Sequence, residues 1–260
     1  MEDLSIIIST YKNVQFLDDC FSSIISSQKS FNVEVLVGID ACVDTLTYVQ
    51  KNTFPSNFKF VFFEKNQGPY IIFNTLSSIS KSNNLLFFGS DDVMVENTIE
   101  KLIKNKDHEV VRLTYVNFKD GEEIDTDSKK NDYGGVFMIS KKLFFDMNGF
   151  EPWLCEADTD FNLRLKKFKF SEKKLSEINF YRRIHQNGLT SNPLTSGNSE
   201  LRKKYKKIIE SKKGSPKIDK LYTYPFVNLE KVNLKKVEPL NDEIKEKVNK
   251  QNFIKSIIYN

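Results

Sequence analysis

Long apolar runs are missing from this 260-residue chain, and nothing in it approaches the roughly 20 consecutive apolar residues that cross a bilayer. The opening Met1-Glu2-Asp3-Leu4 lacks the charged-then-apolar profile of a secretory signal, so the expected location is cytoplasmic. Cysteine is scarce. Cys20, Cys42 and Cys155 are odd in number, widely spaced and without a Cys-x-x-Cys pair, which argues against a disulfide framework or a cysteine zinc site and leaves free thiols. Glycine is also sparse, at 10 residues, and the stretch STYKNVQF that follows the first apolar run is not a glycine-rich phosphate loop.

The body lacks an excess of positive charge. The net charge is +4 at pH 7 with 39 Lys and Arg against 35 Asp and Glu, yet residues 199–260 alone carry 16 basic and 8 acidic side chains, leaving 23 against 27 in the rest. A body at −4 beside a tail at +8 offers no clustered cations for a phosphate backbone, so no nucleic-acid partner is expected. What the chain does have is apolar content of 39% and aromatic content of 13%, enough for a sizeable core in one domain with an appendage.

The most informative stretch is 85–94, LLFFGSDDVM. Four consecutive apolar residues read as a strand buried on both faces, and adjacent carboxylates follow at its C-terminal end, where open α/β sheets place their ligands. Asp91 and Asp92 cannot both ionise comfortably there unless a cation or donors accept their charge, and a hard divalent metal with oxygen ligands serves. Equally open is a solvated turn with an Asp as the N-cap of a helix over 95–105.

In chain order, residues 4–9 (LSIIIS), 33–39 (VEVLVGI), 58–63 (FKFVFF) and the strand at 85 alternate with helical patterns. In the first of these, Leu17, Cys20, Phe21 and Ile24 fall at i, i+3, i+4 and i+7. Such β-α units imply a parallel sheet with right-handed crossovers, a Rossmann-like nucleotide-binding half over 1–105. Thr10, Asp40 and Asp91 then converge on one rim. Residues 106–198 change pattern: a strand over 109–118 turns back at Asp120-Gly121, another strand covers 133–140, and Ser140 caps a helix that Gly149 ends. A helix then opens within WLCEADTD (153–160), whose carboxylates suit a helix N-terminus, and a late strand over 180–184 ends at His185 with a turn at Asn187-Gly188. Beyond the 1–198 domain, the basic extension 199–260 opens with a helix over 199–211 bearing Leu201, Tyr205, Ile208 and Ile209 on one face. Docking to the body is the expected role, with peripheral contact to an anionic membrane at its inner face as the alternative.

Six stretches in order, SIIISTYKN, VEVLVGIDACVD, EKNQGPYIIFN, FFGSDDVM, EADTDFNLRL and YRRIHQNGLT, make residues 4 to about 190 resemble a family 2 inverting glycosyltransferase. The resemblance implies an α/β GT-A fold: a Rossmann-like mixed sheet, parallel in its N-terminal half with helices on both faces, here followed by a basic, mostly helical extension. It places Thr10 and Asp40 against the nucleotide base, with Tyr11, Asn66, Gly68 and Ser90 also on the donor side. Asp91 and Asp92 match the metal-binding acidic motif, His185 a position associated with the metal or diphosphate, and Asp158 the catalytic base, with Trp153 and Glu156 taken as acceptor contacts. Two positions depart from the family pattern. Gly89 stands where the first acid of the motif often does, and Ala157 where the acidic neighbour of the base does.

The implied cofactor is Mn2+ or Mg2+, the implied donor a nucleotide-diphosphate sugar with a UDP-sugar favoured, and the implied acceptor a hydroxyl of a glycan or other molecule. Such chemistry needs a cation for the departing diphosphate and a base for the attacking hydroxyl. The competing readings are a sugar nucleotidyltransferase and a noncatalytic sugar-nucleotide-binding protein.

Overall fold

A computed structural model describes residues 2–119, 122–124 and 132–212. The turn expected at Asp120-Gly121 and everything after Lys212 lie outside the described residues.

The apolar runs become the strands they announce. β1 (Leu4–Thr10), β2 (Val33–Asp40), β3 (Phe58–Phe63) and β4 (Asn84–Gly89) are joined by α1 (Val14–Gln28), α2 (Val43–Lys51) and α3 (Pro69–Ile79). They pair in parallel in the order β3-β2-β1-β4. Successive side chains of a strand point to opposite faces, and here both faces are apolar. Ile6, Ile8, Val35 and Val37 pack with Leu17, Phe21 and Ile24 of α1 in one core. Ile7, Leu36, Val61 and Phe63 pack with Ile72 and Leu76 of α3 in the other. A sheet covered on both sides needs continuous apolar strands, which explains the absence of alternation in the sequence.

After β4 come β5 (Val93–Met94), α4 (Thr98–Lys104), β6 (Val110–Lys119), β7 (Glu122–Glu123), β8 (Asp132–Ser140), α5 (Lys141–Asp146), α6 (Ala157–Leu165), β9 (Glu172–Arg183) and α7 (Glu200–Lys212). β8 runs antiparallel to β4 and to β6, β6 runs parallel to β9, and β5 closes the order against β9. One nine-stranded sheet thus runs through both halves of the chain. Ser140 caps α5 as expected, its Oγ accepting from the Leu143 N–H at 3.2 Å. The helix after the acidic pair starts only at Thr98 with Asn97 as its N-cap. Asp91 and Asp92 are therefore not helix caps, and that reading of the acidic pair falls away. The late strand is longer than its apolar part suggested, because its first half, Glu172 to Glu177, is polar and exposed apart from Leu175.

The face carrying α3 is closed by a cluster of aromatic rings, Phe87, Phe137, Phe144, Phe150 and Phe161, all at most 1% exposed and with ring contacts throughout. Ala157 belongs to this core at 0% exposure. An acidic side chain there would be buried among rings, so the departure from the family pattern at 157 follows from local packing.

α7 docks on the body. Ile209 is buried, Tyr205 stacks on Trp153 with centroids 4.6 Å apart and planes 7° from parallel, and Lys212 reaches Glu151 at 3.3 Å and Asp160 at 3.1 Å. Lys203, Lys204, Lys206 and Lys207 stay exposed. Among the described residues, no helix is long and apolar enough to cross a membrane.

Candidate active site

The C-terminal ends of β1, β2 and β4 open onto a cleft of about 300 Å³, within the range of small-molecule sites. Tyr11, Asp40, Asn66, Gly68 and Ser90 line it, as do Asp91, Asp92 and Asp158. Side chains from distant parts of the sequence meet there because parallel strands deliver their C-terminal ends to one edge.

Asp40 is 1% exposed. Its two carboxylate oxygens accept the backbone N–H groups of Gln67 at 2.7 Å and Gly68 at 2.9 Å, so it fixes the turn that enters α3. Burial pushes its carboxyl above the usual range, and the two N–H donors oppose that. Gly68 has φ +82°, and a Cβ on it would stand 2.7 Å from Leu154 Cδ2. Only glycine meets both conditions without strain.

The acidic pair sits in a turn closed by the Asp92 N–H on the Gly89 carbonyl at 3.4 Å. Asp91 Oδ2 lies 2.8 Å from His185 Nε2, and the imidazole leans edge-on against Phe16 of α1, 4.6 Å between centroids. Asp92 Oδ1 accepts the Arg183 N–H at 3.0 Å. Burial, then the neighbouring Asp91, push the Asp92 carboxyl well above the usual range. Arg183 holds the turn from β9. Its Nε donates to the Asp91 carbonyl at 2.9 Å and it pairs with Asp19 at 2.6 Å, while its guanidinium lies against the rings of Phe16 and Phe118. A Cβ on Gly89 would come within 2.6 Å of Asp92 Oδ2 and 3.0 Å of Asp91 Oδ1. The place of the missing acid is thus filled by the carboxylates that remain.

Asp158 lies in the first turn of α6 and accepts from the Tyr70 hydroxyl of α3 at 2.8 Å. Burial raises its carboxyl above the usual range, the Tyr70 hydroxyl opposes this, and the charge on Glu156 adds to it. The other acids of that cluster are committed elsewhere. Asp160 is fully buried between Arg164 and Lys212, and Glu156 pairs with Arg202.

Four predicted site residues do not line the cleft, and one of them, His185, stands beside it on Asp91. Thr10 is fully buried, its Oγ1 without a hydrogen-bond partner. Trp153 and Glu156, expected on the acceptor side, hold Tyr205 and Arg202 of α7. Sequence reasoning missed Tyr70, Arg183 and the cleft wall at 187–195. The first two stood inside recognised stretches without any spacing that pointed to their partners. The third looked like a simple Asn-Gly turn.

Among the described residues, no three His, Cys, Asp or Glu side chains stand close enough to hold an ion by themselves. Asp91 on the cleft and His185 in contact with it offer one carboxylate and one imidazole. That set fits an ion which keeps most positions for phosphate oxygens and water, the usual manner of Mg2+ in nucleotide enzymes.

The profile of Glycosyl transferase family 2 matches residues 5–171, well over half of the chain. The chain belongs to glycosyl transferase family 2. No curated protein sequence matches it. Among solved structures, residues 1–349 of S. aureus TarS in complex with UDP-GlcNAc are similar with a TM-score of 0.63 and 18% identity, over 99% of this chain and 82% of that one. The same portion in complex with UDP gives 0.57 and 17%, over 82% and 70%. The mannosyltransferase PcManGT from Pyrobaculum calidifontis, in complex with GDP-Man and Mn2+, gives 0.56 and 10%, over 72% and 58%. At these identities the likeness shows the fold, and it is the GT-A fold that the sequence led us to expect. The family 2 match stops before β9 reaches the cleft, so His185 and α7 lie beyond it.

Proposed function

We propose that this family 2 glycosyltransferase is a metal-dependent inverting enzyme that moves a sugar from a UDP-sugar to a hydroxyl of a glycan or other acceptor. The observation that carries the reading is the meeting of two carboxylates in one cleft from the two faces of the sheet. Asp91, beside His185 and the α1 ring of Phe16, comes from one face, and Asp158, on Tyr70 of α3, from the other. A donor sugar between them would have its diphosphate near the first and its acceptor near the second.

Asp91 and His185 would hold Mn2+ or Mg2+, which when bound would supply positive charge to the departing diphosphate oxygens. Asp158 accepts the proton of the attacking hydroxyl. A bond forms between that oxygen and the anomeric carbon as the bond from the anomeric carbon to the diphosphate oxygen breaks, which inverts the centre. Its raised carboxyl suits a general base working nearer neutrality than a free aspartate. Tyr70 orients that carboxylate. Asp40 shapes the donor pocket by holding the turn at Gln67 and Gly68, and Tyr11 and Asn66 complete its wall. UDP and UDP-GlcNAc in the similar TarS structures support a uridine donor, and GDP-Man with Mn2+ in PcManGT supports the metal.

The test is a panel of UDP- and GDP-sugars with Mn2+, scored for release of free nucleoside diphosphate, which needs no acceptor. Release from a UDP-sugar that depends on Mn2+ is expected. Equal or absent release from every donor, with or without metal, would overturn the reading.

A further inference from the structure

Arg202 opens α7, some thirty residues past the end of the family match at 171, and its guanidinium serves two elements at once. One terminal nitrogen donates to Glu156 Oε1, Nε donates to the Thr195 carbonyl at 2.7 Å, and the other terminal nitrogen to the Leu189 carbonyl at 3.3 Å. The pair is enclosed, at 14% exposure for Arg202 and 6% for Glu156. Leu189 and Thr195 belong to the segment 187–195, which forms one wall of the cleft. Glu156 is the N-cap of α6, two residues ahead of Asp158, and has φ 66°. A non-glycine residue in that left-handed region is strained and persists only where its surroundings hold it.

We infer that Arg202 is a positioning residue that clamps the start of α6, and with it Asp158, to the cleft wall 187–195. The inference rests on the reading of Asp158 as the base. The planar fork matters, because a guanidinium can donate to three acceptors in fixed directions whereas an ammonium is a point charge. Neither the family core nor the acidic cluster supplies this link. α7 therefore completes the site and is more than a docked appendage. The helix has anchors of its own in the Tyr205 stack on Trp153, buried Ile209 and the Lys212 ion pairs, so loss of the Arg202 side chain leaves it attached.

The test compares full-length wild type with Arg202→Ala, Arg202→Lys, Glu156→Gln and the Arg202→Ala/Glu156→Gln double variant, with Lys203→Ala/Lys206→Ala as a surface control. Readouts are kcat and KM for Mn2+-dependent UDP release from the active UDP-sugar, UDP affinity, melting temperature, and the rate of limited proteolysis within 187–195. A small misplacement of a catalytic group costs on the order of 100-fold in rate, so Arg202→Ala is expected to lose about 10- to 100-fold in kcat with UDP affinity within about twofold. Arg202→Lys should lose turnover while keeping the melting temperature, which covers the case in which the alanine variant fails to fold. Proteolysis at 187–195 should rise in both Arg202 variants but not in Glu156→Gln, which leaves the two carbonyl contacts intact. The double variant should be no slower than Arg202→Ala, as coupled residues require. Turnover and proteolysis of folded Arg202→Lys equal to wild type would overturn the clamp. If wild type releases nucleotide from no donor while the Arg202 variants open 187–195 to protease, the donor reading fails and the clamp stands.

Discussion

Tyr70 and Asp158 stand 88 positions apart in the chain and meet in a 2.8 Å hydrogen bond, the phenol of α3 donating to the carboxylate of α6. The bond stabilises the charged carboxylate against the burial that raises it. In the folded chain Asp158 holds its proton to higher pH than a free aspartate, so its basic form exists only above that raised value. Transfer should fall as pH drops through it, at higher pH than the ordinary carboxylate value of about 4. For stability the sign is opposite: the fold favours the protonated form, so this group's contribution declines as pH rises from the ordinary value to the raised one. Tyr70→Phe removes the opposing donor and should move the acid limb of the rate profile further up. Asp158→Asn should cut turnover by roughly 10²- to 10⁴-fold with UDP affinity almost unchanged. An Asp158→Asn protein that transfers at wild-type rate would remove this residue from the mechanism.

Asp91 and His185 adjoin at 2.8 Å, and nucleotide binding should depend on metal through them. Isothermal titration of UDP should show affinity gained on adding Mn2+ to wild type, none gained in Asp91→Ala, and a gain reduced by about 10- to 100-fold in His185→Ala. Identical titrations for all three proteins would separate the metal from this pair.

Asp40 is a support for the donor pocket as well as part of its wall. Asp40→Ala leaves the Gln67 and Gly68 N–H groups without acceptors, and each buried loss of this kind costs about 1–3 kcal/mol. Melting temperature and uridine affinity should fall together, and Asp40→Asn should recover part of both through its one amide oxygen. A drop in uridine affinity with an unchanged melting temperature would show that the turn is held by other means.

Gly89 has no room for a side chain. A methyl group there meets Asp92 Oδ2 at 2.6 Å, so Gly89→Ala should lower stability by about 1–3 kcal/mol and weaken Mn2+-dependent UDP binding by displacing the acidic turn. Restoring the commoner acid with Gly89→Asp should be worse, since it also adds a third carboxylate. Chemical denaturation of the two variants ranks them, and a Gly89→Asp protein as stable as wild type would refute the packing argument.

The alternation of apolar runs and helical patterns was enough to read the parallel half and its open edge. Strands covered on both faces must be apolar throughout, and β-α units wind in one hand, so the ends of β1, β2 and β4 had to gather. The acidic turn was legible as well, because two carboxylates at a buried strand end demand compensation. By itself the sequence determined the family and the parallel half of the sheet, and it singled out Asp40, Asp91, Asp92 and Asp158, which line the cleft. The tertiary structure decided which acids are paired with cations and which face the cleft. Ala157 lies in an aromatic core, Asp160 between Arg164 and Lys212, and Glu156 against Arg202, whereas Asp158 alone of that cluster meets the cleft and the Tyr70 hydroxyl. No spacing encodes this, because the partners come from α3, α6 and α7 and face one another only once both sides of the sheet are packed.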